Sequence, residues 1–199
     1  MLTIGILLFD QVEVLDFAGP FEVLSTASRV ARRSGAHAPF KALLIGKTSS
    51  LVHARAGLGV MPDHGFGEHP RLDVVLIPGG DVAEVLKDAE VIRWVKAAAG
   101  TAKLTASVCT GAFLLGAAGL IDGRRVTTHW EDVDDLRRAH PEARVETTSR
   151  WIDEGDLVTS AGISAGIDMS LHLVRRLASE DLAVRTARQM DYEWRDAQA

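Results

Sequence analysis

Cys109 is the single cysteine of the chain, and it stands in Lys103-Leu-Thr-Ala-Ser-Val-Cys-Thr-Gly-Ala-Phe-Leu-Leu-Gly116. A short β-type run over residues 104–108 stops at the cysteine. Small residues and then an apolar helical pattern follow at once. This is the strand, tight turn and helix layout of a nucleophile elbow, with sulfur in place of a serine oxygen. Such a turn holds its nucleophile in a strained backbone conformation and points it into a pocket. The helix behind it aims free N–H groups at the same spot and favours a thiolate, so alkylation faster than that of free cysteine is expected. The alternative is a buried cysteine serving as a small hydrophobe. Gly111 argues for the reactive reading, because it allows a close backbone approach where a core helix would take Ala.

The elements that must position this thiol alternate strand and helix. Residues 3–9 read as a strand buried on both faces. A loop over 10–18 leads into a helix over about 20–33, with Pro20 in its first turn and Gly35 past its end. Residues 40–45 form a second strand and 51–61, interrupted by Gly, a hairpin. Residues 72–77 are a third core strand, ending at Pro78-Gly79-Gly80. Asp81 caps a helical stretch reaching about residue 99, broken near Asp88. The elbow strand and its helix fill 104–118. Asp122-Gly123 is a turn, 125–127 a short strand and 131–139 a charged surface helix. Strands over 145–152 and 156–160 flank the turn Asp153-Glu-Gly155. A Gly-rich crossing, 161–166, opens a helix over 167–177, and Ser179 caps a last helix over about 180–194. Apolar strands separated by helices imply an α/β fold with a mainly parallel sheet covered on both faces. Sites in such sheets gather at the carboxyl ends of the strands, where the loops 10–19, 78–80 and 109–111 fall.

Composition fits this frame. The chain has 199 residues, 47% hydrophobic and 25% charged, enough for one sizeable core and a single domain over 1–199. One cysteine makes no internal disulfide, which fits a reducing, cytoplasmic setting. Residues 2–9 lack a basic flank or a cleavage site, so no signal peptide is read, and no apolar stretch is long enough to span a membrane. A net charge of −5 with scattered basic residues argues against nucleic-acid binding. The partner expected is a small molecule. His37, His53, His64 and His69 lack metal-ligand spacing, so neither a metal nor another cofactor is expected. Residues 162–166 lack the context of a dinucleotide fingerprint. Trp94 and Trp194 read as packing residues.

Several segments together carry a family resemblance. They are Phe9-Asp-x-x-x-x-x-Asp16-x-x-Gly-Pro-x-Glu22, Ile-Pro-Gly-Gly80, Ser-Val-Cys-Thr-Gly111, Gly-Leu-Ile-Asp-Gly-Arg-Arg-Val-Thr-Thr-His-Trp130 and Thr-Ser-Ala-Gly-Ile-Ser-Ala-Gly-Ile-Asp168. In this order they resemble the ThiJ/PfpI (DJ-1, class I glutamine amidotransferase-like) superfamily over nearly the whole chain. Within it, they resemble most the isonitrile hydratases and the amidotransferase-like ligand domain of AraC-type regulators. The resemblance implies a flavodoxin-like α/β/α sandwich that forms homodimers. It also implies a lyase in which the Cys109 thiolate attacks an isonitrile carbon, a thioimidate forms, and water releases an N-substituted formamide.

The same resemblance distributes roles. Asp16 is implied as general acid–base beside the sulfur, in an aspartate position where the protease-like and glyoxalase-like branches carry glutamate. From the residues alone, a helix cap before Gly-Pro is the other reading. Thr110 replaces the histidine of many protease-like members. Its backbone N–H, with that of Gly80, is expected to form an anion-stabilising pair. Gly79, Trp130 and Ile163 are expected around the pocket. Glu22, one to two turns beyond Asp16, is placed at the pocket or on the solvent face. His129 either polarises the thiol, lines the pocket or is structural. His140-Pro-Glu142 is read as a helix stop. Two rivals remain: a ligand-sensing domain, whose regulators continue into a helix-turn-helix region where this chain stops at Ala199, and a glyoxalase-like or redox-sensing stress protein. The ending Tyr192-Glu-Trp-Arg195 departs from the Pro-rich tail of isonitrile hydratases.

Overall fold

The runs of aliphatic residues become the strands of one sheet because each is buried on both sides. The computed structural model describes residues 1–195; the last four residues of the expected 1–199 domain lie outside the described residues. In chain order the elements are β1 (Leu2–Leu7), α1 (Val14–Arg33), β2 (Phe40–Gly46), β3 (Val52–His53), β4 (Gly59–Val60), β5 (His64–Gly65), β6 (Val74–Ile77), α2 (Ala89–Thr101), β7 (Leu104–Val108), α3 (Gly111–Ala117), β8 (Arg125–Val126), α4 (Val133–Ala139), β9 (Arg144–Val145), β10 (Trp151–Asp153), β11 (Leu157–Ser160), α5 (Ala165–Leu177) and α6 (Glu180–Gln189).

Seven strands form the main sheet in the order β10-β11-β7-β6-β1-β2-β5. All neighbours are parallel except β10 and β11. Helices α1 and α5 pack against it, with α6 laid on those two helices, and α2 packs with α3. The result is the α/β/α sandwich expected from the sequence. Ile4, Ile6, Leu76, Ile77, Val108 and Leu114 are at most 1% exposed, so the site stands on a rigid floor.

From β1 the sheet grows one way through β2 and the other way through β6 and β7. The loops after β1 and β6 therefore part at a topological switch point, where ligands of open α/β sheets bind. Backbone bonds join these loops: Glu13 N–H donates to Gly79 O (2.9 Å), Asp81 N–H to Gln11 O (3.0 Å), and Val12 bridges Gly80.

Several boundaries differ from the sequence reading. Helix α1 begins at Val14, so Pro20 lies inside it and leaves the Asp16 carbonyl without its helical donor. Asp81 accepts from Ala83 N–H (3.1 Å) in a turn; Asp88 is the residue that caps α2, accepting from Glu90 N–H (3.0 Å). Residues 146–150 are irregular and split the expected 145–152 strand: Val145 pairs with Val126 as part of β9, and only 151–152 continue in the main sheet, in β10. A 3-10 turn, Trp130–Asp132, precedes α4 where the helix was expected to begin. Helix α6 stops at Gln189, beyond which Asp191 takes a left-handed φ of 47°. Trp194 still packs, donating Nε1–H to Asp168 O at 3.2 Å.

Candidate active site

Cys109 leaves β7 with a φ of 57°, a left-handed conformation that a non-glycine residue keeps only when its surroundings enforce it. The enforcement is visible. Its N–H lies between Ser160 O (3.1 Å) and Ala161 O (3.3 Å), and its carbonyl accepts from Thr128 Oγ1 (2.8 Å). Gly111 permits the turn: a Cβ there would lie 2.1 Å from Ile77 O. The thiol is buried, at 7% exposure, and lines a cavity of about 550 Å³ with Gly80, Thr110, Phe113, His129 and Ile163.

Asp16 sits in the first turn of α1, fully buried. It is not the helix cap, a position held by Glu13. Its Oδ2 accepts from Gly79 N–H at 3.1 Å, while Oδ1 has no hydrogen-bond partner. The Cys109 thiol and the Ile163 N–H also face this carboxyl. Ile163 is itself left-handed, with a φ of 50°, which is costly for a β-branched residue. Gly79 has no room for a side chain, since a Cβ would lie 2.5 Å from Thr110 Oγ1 and 2.9 Å from Asp16 Oδ2.

Burial pushes Asp16 up to about 7, aided by the nearby charge of Glu13 and opposed by the Gly79 N–H. Burial, then the charge of Asp16, pushes Cys109 up to about 12; the N–H and hydroxyl of Thr110 oppose this, and Asp132 adds to it. The expected easy thiolate is thus corrected. Helix α3 has only seven residues, and its N-terminus is outweighed by burial of the thiol and then by the carboxyl beside the sulfur.

Other assignments are also corrected. Gly80 N–H donates to Thr110 Oγ1 (2.9 Å), which in turn donates to Gly80 O (2.9 Å). The Gly80 N–H is therefore engaged rather than open to an anion. Glu22 lies outside the cavity, half-exposed and paired with Arg29 at 2.8 Å. Trp130 is 74% exposed and does not line the cavity, because the 3-10 turn carries it outward. His129 lines the cavity, but its Nδ1 accepts from Glu131 N–H (3.3 Å), a cap rather than a bond to sulfur. His140 ends α4 as a helix stop. Glu13, Asp132 and Phe113 were missed. The only signal for Asp132 was its closeness in sequence to His129, in a stretch whose charges read as a solvated face. Among the described residues no group of three or more His, Cys, Asp or Glu is arranged to hold a metal, and no helix is long and apolar enough to cross a membrane.

Around this strained cysteine and its neighbouring carboxyl, the chain as a whole has relatives. The DJ-1/PfpI family model matches residues 3–176. The chain belongs to this family. It is 38% identical over 192 residues to the isonitrile hydratase of Pseudomonas putida, covering 96% of this chain and 78% of that protein. It is 29% identical to the HTH-type transcriptional regulator GbdR of Pseudomonas aeruginosa, covering 96% of this chain and 51% of that protein. The chain thus spans about half the length of that regulator. Among solved structures, a ThiJ/PfpI family protein from Pseudomonas syringae superposes with a TM-score of 0.83 at 29% identity, over 96% of this chain and 75% of that one. Drosophila melanogaster DJ-1beta superposes with a TM-score of 0.82 at 18% identity, over 97% and 99%.

Proposed function

We propose that this DJ-1/PfpI family member is an isonitrile hydratase, converting a small isonitrile and water into an N-substituted formamide. The reading is carried by the buried Cys109–Asp16 pair, in which a thiol that lines the cavity faces a carboxyl with one unpartnered oxygen. The 38% identity to an isonitrile hydratase supports it. The cavity is of a size that takes small molecules.

With Cys109 raised to about 12 and Asp16 to about 7, the resting site near neutral pH holds a thiol beside a carboxyl that is partly ionised. Asp16 takes the thiol proton as sulfur attacks the terminal isonitrile carbon. It returns that proton to the same carbon, which gives a thioimidate, R–N=CH–S–Cys109. Asp16 next takes a proton from water as the oxygen adds to this carbon, and delivers it to nitrogen. Breaking the C–S bond releases R–NH–CHO, while the hydroxyl proton of the adduct returns to sulfur. The sum is one isonitrile and one water consumed and one formamide released. No external acid, oxidant or cofactor enters the balance. Thr110 N–H faces the sulfur and steadies its charge while it is free. The proposal includes a cytoplasmic homodimer, which size-exclusion chromatography tests for its oligomeric part.

The decisive experiment incubates the purified protein with simple alkyl isonitriles and detects formamide, alongside methylglyoxal as a competing substrate. Formamide from wild type and none from Cys109→Ala is the expected result. Methylglyoxal turnover without formamide, or ligand binding without any turnover, would move the function to one of the two rivals.

A further inference from the structure

The wall of the Cys109 cavity is acidic. Five carboxylates line it, Glu13, Asp81, Glu131, Asp132 and Asp135, against one cation, Arg55. Two of the five are compensated: Glu13 pairs with Arg55 at 3.3 Å and Asp135 with Arg138. Among the described residues, Asp81, Glu131 and Asp132 have no Lys or Arg partner; the last two lie 3.8 and 3.5 Å from His129 Nδ1. The charges reach the reacting groups, because Asp132 acts on the Cys109 sulfur and Glu13 on the Asp16 carboxyl. Behind this wall the Asp16 carboxyl, fully buried and with its Oδ1 unpartnered, faces the thiol.

An acidic wall opposes formation of the sulfur anion on which the chemistry depends. It ceases to oppose it when the occupant brings a positive charge. We propose that the substrate of this site carries a cationic substituent, an ammonium or alkylammonium on a short apolar arm, with its reacting carbon at Cys109. The apolar arm lies along Phe113, Leu86 and Ile163, which line the same cavity. The ammonium sits among Asp81, Glu131 and Asp132. Its charge offsets the field of Asp132 at the sulfur, so binding itself eases removal of the thiol proton. A neutral isonitrile of equal size lacks this assistance, and an anionic one is repelled.

The isonitrile part of this inference rests on the proposed function, while the charge preference does not, and the test keeps them apart. Its first arm needs no turnover. Cys109 of the native protein is modified with methanethiosulfonates bearing trimethylammonium-ethyl, methyl or sulfonatoethyl groups near pH 8, above the ordinary histidine range. Each rate is divided by that of a free small thiol. The cationic reagent is expected to exceed the anionic one by about tenfold or more at low ionic strength. The ratio should collapse towards unity in about 1 M salt, where the screening length is about 3 Å. Asp132→Asn and Asp81→Asn should each lower the ratio. Glu68→Gln, the same charge change away from the cavity, should preserve it. The neutral reagent reports any general change in thiol reactivity. A ratio near one at low salt, or a ratio changed equally by Glu68→Gln, overturns the inference. The second arm compares kcat/KM for dimethylaminoalkyl, alkyl and carboxyalkyl isonitriles of matched length. Equal values overturn the cationic substrate while leaving hydration in place. No formamide from any of them, with a cation-favouring first arm, overturns the hydratase reading and leaves the site as one for a cation.

Discussion

Among the described residues two aspartates are fully buried, and each sits in the first turn of a long helix: Asp16 in α1 and Asp168 in α5. Asp168 is met by the guanidinium of Arg150 on Oδ2, through Nε at 2.9 Å and Nη2, and by Arg195 N–H on Oδ1 at 2.9 Å. Both its oxygens are satisfied and its charge is balanced. Asp16 receives one well-formed bond, from Gly79, no cation, and an oxygen with no partner. The same residue type, equally buried and again in a first helical turn, is a structural tie in one place and a group poised to titrate near pH 7 in the other. The difference is the presence of a counter-charge, and burial alone does not reveal it.

Neutralising each aspartate separates the two roles most sharply. Asp16→Asn should lower formamide turnover by about 10²- to 10⁴-fold, since an amide cannot move the proton, while the melting temperature holds or rises. Asp168→Asn should do the reverse. Arg150 would be left without its carboxylate, at a cost of about 3–5 kcal/mol of stability. Turnover per folded molecule should change far less. Thermal melts with active-site titration measure both quantities, and a collapse of folding in Asp16→Asn would mean that the carboxyl is structural after all.

The comparison extends to pH. Asp16 in the folded protein is raised above its unfolded value of 3.8 to about 7, so the folded state binds the proton more tightly. Stability is then greatest below about pH 4 for this group and is lost as pH rises towards 7, levelling off above it. The span amounts to on the order of 4 kcal/mol. Asp16→Asn mimics the protonated form, so its advantage over wild type should grow from pH 4 to 7 and then stay constant. Activity runs the other way: kcat/KM should fall below about pH 7 as the carboxylate base is protonated. A stability difference that is flat across this range would exclude a titrating Asp16.

Much of this was legible before any coordinate. The strand that stops at Val108, the small residues after it and Gly111 identified the elbow, and the positive φ of Cys109 is its structural form. Asp16 was reached by resemblance. What failed depends on where a helix starts and which way it faces. Pro20 was read as a first-turn residue, but α1 begins at Val14, and the phase of the helix turns Glu22 towards Arg29 and solvent. Trp130 and Asp132 exchanged places in the same manner. Two residues apart on one turn, the large aromatic points out and the small acid lines the cavity. The thiol's raised pKa comes first from burial and then from the Asp16 charge. The opposition of a neighbouring carboxylate follows from the expected pairing of Asp16 with Cys109, but the burial depends on elements distant in the chain. A local argument from the helix N-terminus does not see that burial.

A smaller effect tests the wild-type thiol itself. Because burial and the Asp16 carboxyl both disfavour its anion, Cys109 should react with iodoacetamide near neutral pH more slowly than free cysteine. Removing the neighbouring charge in Asp16→Asn should speed the reaction by about tenfold, as one unit of pKa relief would give. No change in the variant would mean that burial alone holds the thiol down.

The smallest effect is expected from the backbone donors. Asp168 takes its N–H from Arg195, beyond the end of α6, whereas Asp16 faces an N–H from Ile163, a β-branched residue at a φ of 50°. That conformation costs about 1–2 kcal/mol for a residue with a Cβ. Ile163→Gly removes the penalty, but it also gives the unfolded chain more freedom, which returns part of the gain. A net stabilisation of about 0.5–1 kcal/mol should remain, a rise of about 1–4 °C in the melting temperature for a domain of this size. Activity should move the opposite way, by a few-fold, because a glycine holds the N–H less firmly against the carboxyl and leaves the cavity without its isoleucine wall. If Ile163→Gly instead lowers the melting temperature, the left-handed turn stores no strain at this site. The contrast between the two aspartates then reduces to the guanidinium that one has and the other lacks.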